Sequence, residues 1–420
     1  MGEKPPGCPN PQPCLPDAMT NARKKLDPFL IGPLLLASGG RTDVAPGLCG
    51  GRLAAVMDGE IAMAIARENH SALAHEFQKR ARDIARDSAI IVLDRTRDLA
   101  SREVFAARIA DEYAQAFGGK SSGISEAALD RIYDDIDDED RGGGILNLLK
   151  NPETGLEKTV FLILPEAPSA HAGQMEILRF QHFPYPLRAD IPATHNDMAR
   201  LTLYHEIHGH VVHWIAGDEK PVDAANDELR ADIAAMCGTA RDSGGTGAAR
   251  ILINRRDIVP LRESRYAAAL KFGGQGAAKY ANGRELRTVL SAIEARLAKP
   301  SDAKAFKNMD DVALIRFIDT AFEAVKLTPN EYDLRKRTLL DATCIALETR
   351  DPENRAHRKS PTMARLAQEN PEALAAALDY LAHAADGLFA LYDIPKDAIA
   401  LFSPPQPPMK KRRGLSPKAH

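Results

Sequence analysis

His205-Glu206-Ile207-His208-Gly209-His210 is the stretch on which the reading of this chain turns. Residues 196 to 216 read as one helix, with Asn196 or Asp197 as N-cap and Gly217 as the stop. On a regular helix, positions four apart lie ~40° from each other and positions five apart ~140°. His205 and His210 therefore cannot face one point from an unperturbed helix. A local π-bulge, which widens one turn to about five residues and is frequent at functional sites, accommodates the extra residue. Removing His208 leaves His-Glu-Ile-Gly-His, in which the two histidines are again four apart. The stretch predicts a widened helix that turns two imidazoles toward a common point.

Two imidazoles and a nearby carboxylate, with one position left for water, are what a catalytic zinc ion takes. His205, His210 and Glu228 supply that set for one ion per chain, and Glu206, beside the first ligand, is placed to act as general base on the water. A second helix begins near Ala224, and on it Glu228 and Asp232 share a face. Metal-bound histidines commonly donate their other ring nitrogen to a carboxylate, which makes Asp232 the expected support of His205. Glu228 follows His210 by 18 positions, enough for the first helix to end, turn through Pro221 and return. Arg230 is expected to pair with a carboxylate such as Asp227, His208 to be a pocket or surface residue, and Trp214 a core anchor. An unbulged helix would instead put His210 and His213 on a face with Glu206, as in iron or manganese bundle sites. Those need a second Glu-x-x-His helix, and the chain shows none.

The two half-sites in this order resemble the gluzincin metallopeptidases, in which a glutamate one helix later is the third zinc ligand and an aspartate four residues on supports a histidine. The expanded spacing narrows the likeness. His-Glu-x-x-Gly-His at 205–210 and Glu-x-Arg-Ala-Asp at 228–232 resemble the dipeptidyl peptidase III family, with Asp227 where that family has glutamate. A similarly expanded motif occurs in the tyrosine carboxypeptidases that process tubulin tails. The spacing between the motifs is nearer to that of thermolysin-like enzymes. The resemblance implies zinc-dependent hydrolysis of peptide bonds by metal-activated water, with a peptide or protein as substrate. The oxyanion formed in such a reaction needs a further donor, for which Tyr266, Tyr280, Tyr332 and His357 are candidates. The other reading is a catalytically silent, metal-stabilised interaction protein. Structural zinc sites use four protein ligands, usually with several cysteines, so a fourth ligand from Cys237 or His213 would mark it.

The rest of the chain sets bounds. Its 420 residues are 44% hydrophobic and 27% charged, with a net charge of −3, ordinary for a globular protein and no signal for nucleic acid. Aromatics are only 5% and alanine-rich runs favour helix. Five scattered cysteines, Cys8, Cys14, Cys49, Cys237 and Cys344, fit a reducing compartment. With no signal peptide and no run near the roughly 18 apolar residues of a membrane span, a cytoplasmic location is expected.

Along the chain, 1–48 reads as a Pro- and Gly-rich arm and 49–140 as a helical region, with periodicity over 52–117 and a helix over Glu126–Ile136. The acidic run Asp134–Asp140 reads as a solvated surface, because it lacks the oxygen-ligand loop of a calcium site. Strand character at Ile145–Leu149, Thr159–Leu164 and Met175–Phe183 places a small sheet just before the motif helix. Residues 141–241 are thus expected to form a zincin-like core, in which an edge strand would pair with extended substrate. Four to six helices follow within 242–400, and 401–420 is a basic tail. The fold class expected is α+β, mostly α.

Overall fold

The run Ala89-Ile90-Ile91-Val92-Leu93 is apolar at every position, which suits a strand covered on both faces better than one face of a helix. In the computed structural model it is the strand β1 (Ser88–Asp94), lying inside what the periodicity had suggested was continuous helix. The structure describes residues 71–84, 88–116, 125–137, 147–151, 156–164, 188, 190, 193–212, 223–258, 278–350 and 360–394. Met175–Phe183, Gly217, Trp214 and the two terminal segments lie outside them.

The described residues are mostly helical. Helical residues 71–84 form α1, followed after β1 by α2 (Arg102–Ala116) and α3 (Glu126–Asp137). Two of the expected strands are present as β2 (Asn147–Asn151) and β3 (Leu156–Leu164). The sheet order is β1-β3-β2, with β1 parallel to β3 (Ile91 opposite Phe161) and β2 antiparallel to it (Leu149 opposite Thr159).

Alternation along β1 divides its side chains between two cores. Ile90 and Val92 join Leu73, Phe77 and Leu162 in the main core, while Ala89, Ile91 and Leu93 pack with Phe105, Ile109, Tyr113 and Ile132 of α2 and α3. The free edge of β1 is covered by a side chain: Gln78 donates to the Ile90 carbonyl at 2.6 Å and accepts from the Val92 N–H at 2.6 Å. An exposed edge is a template for another strand, and here Gln78 occupies the pairing groups of β1 in mid-strand.

The motif helix begins as α4 (His195–Leu203) and passes into a π-helical segment, Tyr204–Val211. Its N-cap is Thr194, ahead of the expected Asn196 or Asp197. Asp197 is instead the partner in a capping box, its N–H donating to Thr194 Oγ1 at 3.1 Å and its carboxylate accepting from the Thr194 N–H at 2.9 Å.

Next comes α5 (Ala224–Ser243), capped by Asp223 and ended by Gly244 at φ 71°. This helix is buried all round from Glu228 to Arg241, which places it at the centre of the fold. Among the described residues seven helices then follow, more than the four to six expected: α6 (Gly247–Asp257), α7 (Gly283–Leu297), α8 (Pro300–Lys307), α9 (Asp311–Glu323), α10 (Pro329–Arg350), α11 (Pro361–Glu369) and α12 (Pro371–Leu391). An 18-residue window of α12 has a mean hydropathy of 1.2, so this 21-residue helix is long and apolar enough by composition to cross a membrane, where no such run was expected. Its Leu374, Ala377, Leu381 and Leu388 belong to the main core.

At the end of α6, Asp257 is buried beside Arg287 of α7, whose Nη1 donates to it at 2.6 Å. Burial lifts this carboxyl to about 7 against the pull of Arg287. In the unfolded chain an aspartate titrates near ~3.9. Between those values the folded state holds the proton that the unfolded state has lost, so the contribution of Asp257 to stability is lost as pH rises through its folded pKa. Relative to wild type, Asp257→Asn should therefore gain stability as pH rises from about 4 to about 7 and hold that gain above it, by a few kcal/mol at ~1.4 kcal/mol per pH unit. Urea unfolding across that range measures it, and parallel pH curves for the two proteins would refute it.

Candidate metal centre

The extra residue of the motif is absorbed in the backbone. The Val212 N–H reaches back to the Ile207 carbonyl, a five-residue step in place of the α-helical four. This widened turn puts His205 and His210 on one side. Tyr204 and His208, four apart, turn to the other, with ring centroids 4.8 Å from each other.

Three residues near the motifs hold the widened turn in place. Gly209 lies directly on Ala231 of α5, where a Cβ would come 2.4 Å from the Ala231 Cα, an overlap that backbone alone must relieve. Arg230 donates from Nη1 to the carbonyls of His208 (2.9 Å) and Gly209, so oxygens loosened by the wide turn are satisfied by a buried guanidinium. Its other nitrogens meet Asp319 at 3.1 and 2.8 Å. Arg230 thus supports the backbone of the turn and does not pair with Asp227 as the sequence suggested.

On the far side, His208 is a fully buried core residue, not a pocket or surface one. Its Nε2 sits 3.5 Å from Asp311 Oδ1, and burial pulls its pKa below the usual histidine range against that carboxylate. Arg241 ties this side together, donating to Tyr204 Oη at 2.5 Å and Asp311 Oδ1 at 2.8 Å, while Tyr204 Oη donates to Asp242 at 2.7 Å.

The other side gathers His205, His210 and Glu228, whose ligand atoms all lie within 4.8 Å of one another. The two Nε2 atoms are 3.2 Å apart, and Glu228 Oε2 is 3.5 Å from that of His205 and 3.9 Å from that of His210. Each imidazole has a carboxylate behind it: His205 Nδ1 is 3.1 Å from Asp232 Oδ1, and His210 Nδ1 is 3.0 Å from Asp227 Oδ2, the latter a close approach off hydrogen-bond geometry. An Nδ1–H turned to a carboxylate leaves the Nε2 lone pair facing inward. Two such lone pairs and a carboxylate oxygen that accepts no hydrogen bond converge on one point. Nitrogen and oxygen donors in this ratio suit zinc, and a cation among them removes the mutual repulsion.

The electrostatics point the same way. Burial opposes a charge on His205, but Asp232, Glu228 and Glu206 outweigh it and lift the imidazole to about 10, so without metal the ring is the cation that balances these carboxylates, and a metal ion binding there takes the place of its Nε2 proton. Burial likewise opposes ionisation of Asp232, yet Arg256 and His205 hold its carboxyl well below the usual carboxylate range. Glu206 is different: burial raises its carboxyl above the ordinary value, and no hydrogen bond or ion pair engages it among the described residues.

Cys237 is buried in the main core and is not among the clustered ligands. His213, Tyr266 and His357 lie outside the described residues. Tyr332 packs on Ala278, Ala281 and Leu339, and Tyr280 lies against Arg256, its ring centroid 5.0 Å from the guanidinium carbon. Neither hydroxyl hydrogen-bonds to a ligand residue. Asp227, Arg256, Lys279 and Asn282 contact the ligands or their supports and were not foreseen. Only Asp227 left a local trace, since it stands next to Glu228 on the same helix. No family model, curated protein or solved structure matches this chain.

Proposed function

We propose that the chain is a zinc-dependent metallopeptidase of gluzincin type, with His205, His210 and Glu228 as ligands and Glu206 as general base. The observation that carries this reading is the convergence of two backed imidazoles and one hydrogen-bond-free carboxylate oxygen within 4.8 Å. Zinc held there would lower the pKa of a bound water and polarise a carbonyl. Glu206 accepts the proton, and its desolvated carboxylate, free of hydrogen bonds and ion pairs among the described residues, suits that task. Asp232 and Asp227 fix the two ring orientations. The β2–β3 hairpin upstream, the widened helix and the Glu-x-x-x-Asp helix follow the order of a zincin-like core, and the likeness to the dipeptidyl peptidase III family belongs to this proposal. Among the described strands, the Gln78 cap on β1 leaves β2 as the sheet edge for extended substrate.

Removal and return of metal tests the reading. Treatment with a strong chelator should abolish cleavage of a complex peptide mixture, read by mass spectrometry of new termini, and stoichiometric zinc should restore it. Cleavage that survives complete metal removal would contradict the proposal.

A further inference from the structure

The ligand and support carboxylates are both gripped by one short stretch, Lys279-Tyr280-Ala281-Asn282, just before α7. Lys279 Nζ donates to Glu228 Oε1 at 3.0 Å, while the other oxygen, Oε2, faces the two histidines. Asn282, fully buried, donates from Nδ2 to Asp232 Oδ2 at 3.1 Å. Arg256, at the end of α6, closes on the same carboxylate through Nε to Oδ2 at 2.8 Å and Nη2 to Oδ1 at 2.5 Å. With His205 Nδ1 on Oδ1, the four acceptor positions of Asp232 are all engaged. Behind Asn282 stands Arg335 of α10, donating to its Oδ1 at 2.7 Å and paired with Glu285 at 2.6 Å. Tyr280 is the platform of the assembly, with its ring under both Arg256 (5.0 Å) and Lys279 (4.4 Å).

We infer that Lys279–Asn282 and Arg256 form a third component of the metal centre, which limits Glu228 to one ligating oxygen and immobilises Asp232 behind His205. The inference rests on the zinc reading above. Chelation through both oxygens would require Glu228 Oε1 to turn away from Lys279, so the ammonium sets the number of protein donors at three. That keeps a coordination position for water, which a catalytic site needs and a closed structural site lacks. These are positioning residues: Lys279 acts through Glu228, and Asn282 and Arg256 act through Asp232 and then His205. The Lys279 side chain is 30% exposed and that of Glu228 11%, so the melting temperature of metal-free Lys279→Met, beside wild type, is the control for folding.

The test uses the full chain loaded with Co²⁺ in place of zinc, whose visible absorption reports coordination number. Wild type and Lys279→Arg should give the intense spectrum of a four-coordinate ion. Lys279→Met should give a weaker, five-coordinate spectrum with metal affinity equal or higher, because a competing cation is gone. Asn282→Ala should weaken metal binding by ~10–100-fold in a chelator competition, the usual scale for an outer partner, with the melting temperature of the metal-free protein as the control for folding. A wild-type spectrum in Lys279→Met, or loss of its metal, would overturn the inference while leaving the zinc site standing. If wild type itself takes up neither Co²⁺ nor Zn²⁺, the inference and the zinc reading fall together.

Discussion

His210→Ala should strip the protein of metal while leaving it folded. The loss follows from geometry: His210 Nε2 lies 3.2 Å from that of His205, and without it the cluster keeps one imidazole and one carboxylate oxygen. Changes to outer partners already cost ~10–100-fold in metal affinity, so loss of a direct ligand should exceed ~100-fold. Two features preserve the fold. The close packing of the widened turn runs through Gly209 on Ala231, and its carbonyls are held by Arg230, neither of which depends on the His210 ring. Asp227, left without its imidazole partner, sits at the start of α5, where the helix dipole favours a carboxylate. Isothermal titration of the metal-free variant with zinc, beside circular dichroism, gives both quantities. Zinc binding equal to wild type would exclude His210 as a ligand.

Glu206→Gln separates chemistry from binding. Glutamine has the same shape and cannot accept a proton, so zinc content should stay at one per chain while peptide cleavage falls by ~10²–10⁴-fold, the range for loss of a positioned general base. The carboxylate is well placed for the comparison, because among the described residues no hydrogen bond or ion pair would be broken by the change. A variant that keeps zinc and cleaves at the wild-type rate would remove Glu206 from the reaction. Wild-type protein that binds zinc and cleaves nothing would favour a metal-stabilised interaction protein.

The parts of this centre that were legible in the sequence are those fixed by local helix geometry. Five-residue spacing forces a widened turn if both histidines are to face one point, and the backbone has one from Tyr204 to Val211. Four-residue spacing puts Glu228 and Asp232 on one face of α5, and Asp232 does meet His205. What spacing could not give is which distant segment returns to the site. Arg256, Lys279 and Asn282 reach the carboxylates only because α6 and the start of α7 pack around α5, a matter of long-range contact.

Arg230 was foreseen in part for a related reason. It does pair with a carboxylate, but that is Asp319 of α9 and not Asp227 three positions away, and on the buried stretch of α5 the guanidinium also serves the open carbonyls of the wide turn. The strand β1 escaped because a parallel strand buried on both faces has no polar alternation to distinguish it from buried helix.

The central claim is one ion held by two imidazoles and a carboxylate on a widened helix. X-ray absorption at the zinc edge on the purified, zinc-loaded chain tests it most directly. The account predicts one zinc per chain with only nitrogen and oxygen neighbours at ~2.0–2.2 Å and the outer-shell scattering of two imidazole rings. Sulfur at ~2.3 Å, a single imidazole, or no bound zinc would contradict it.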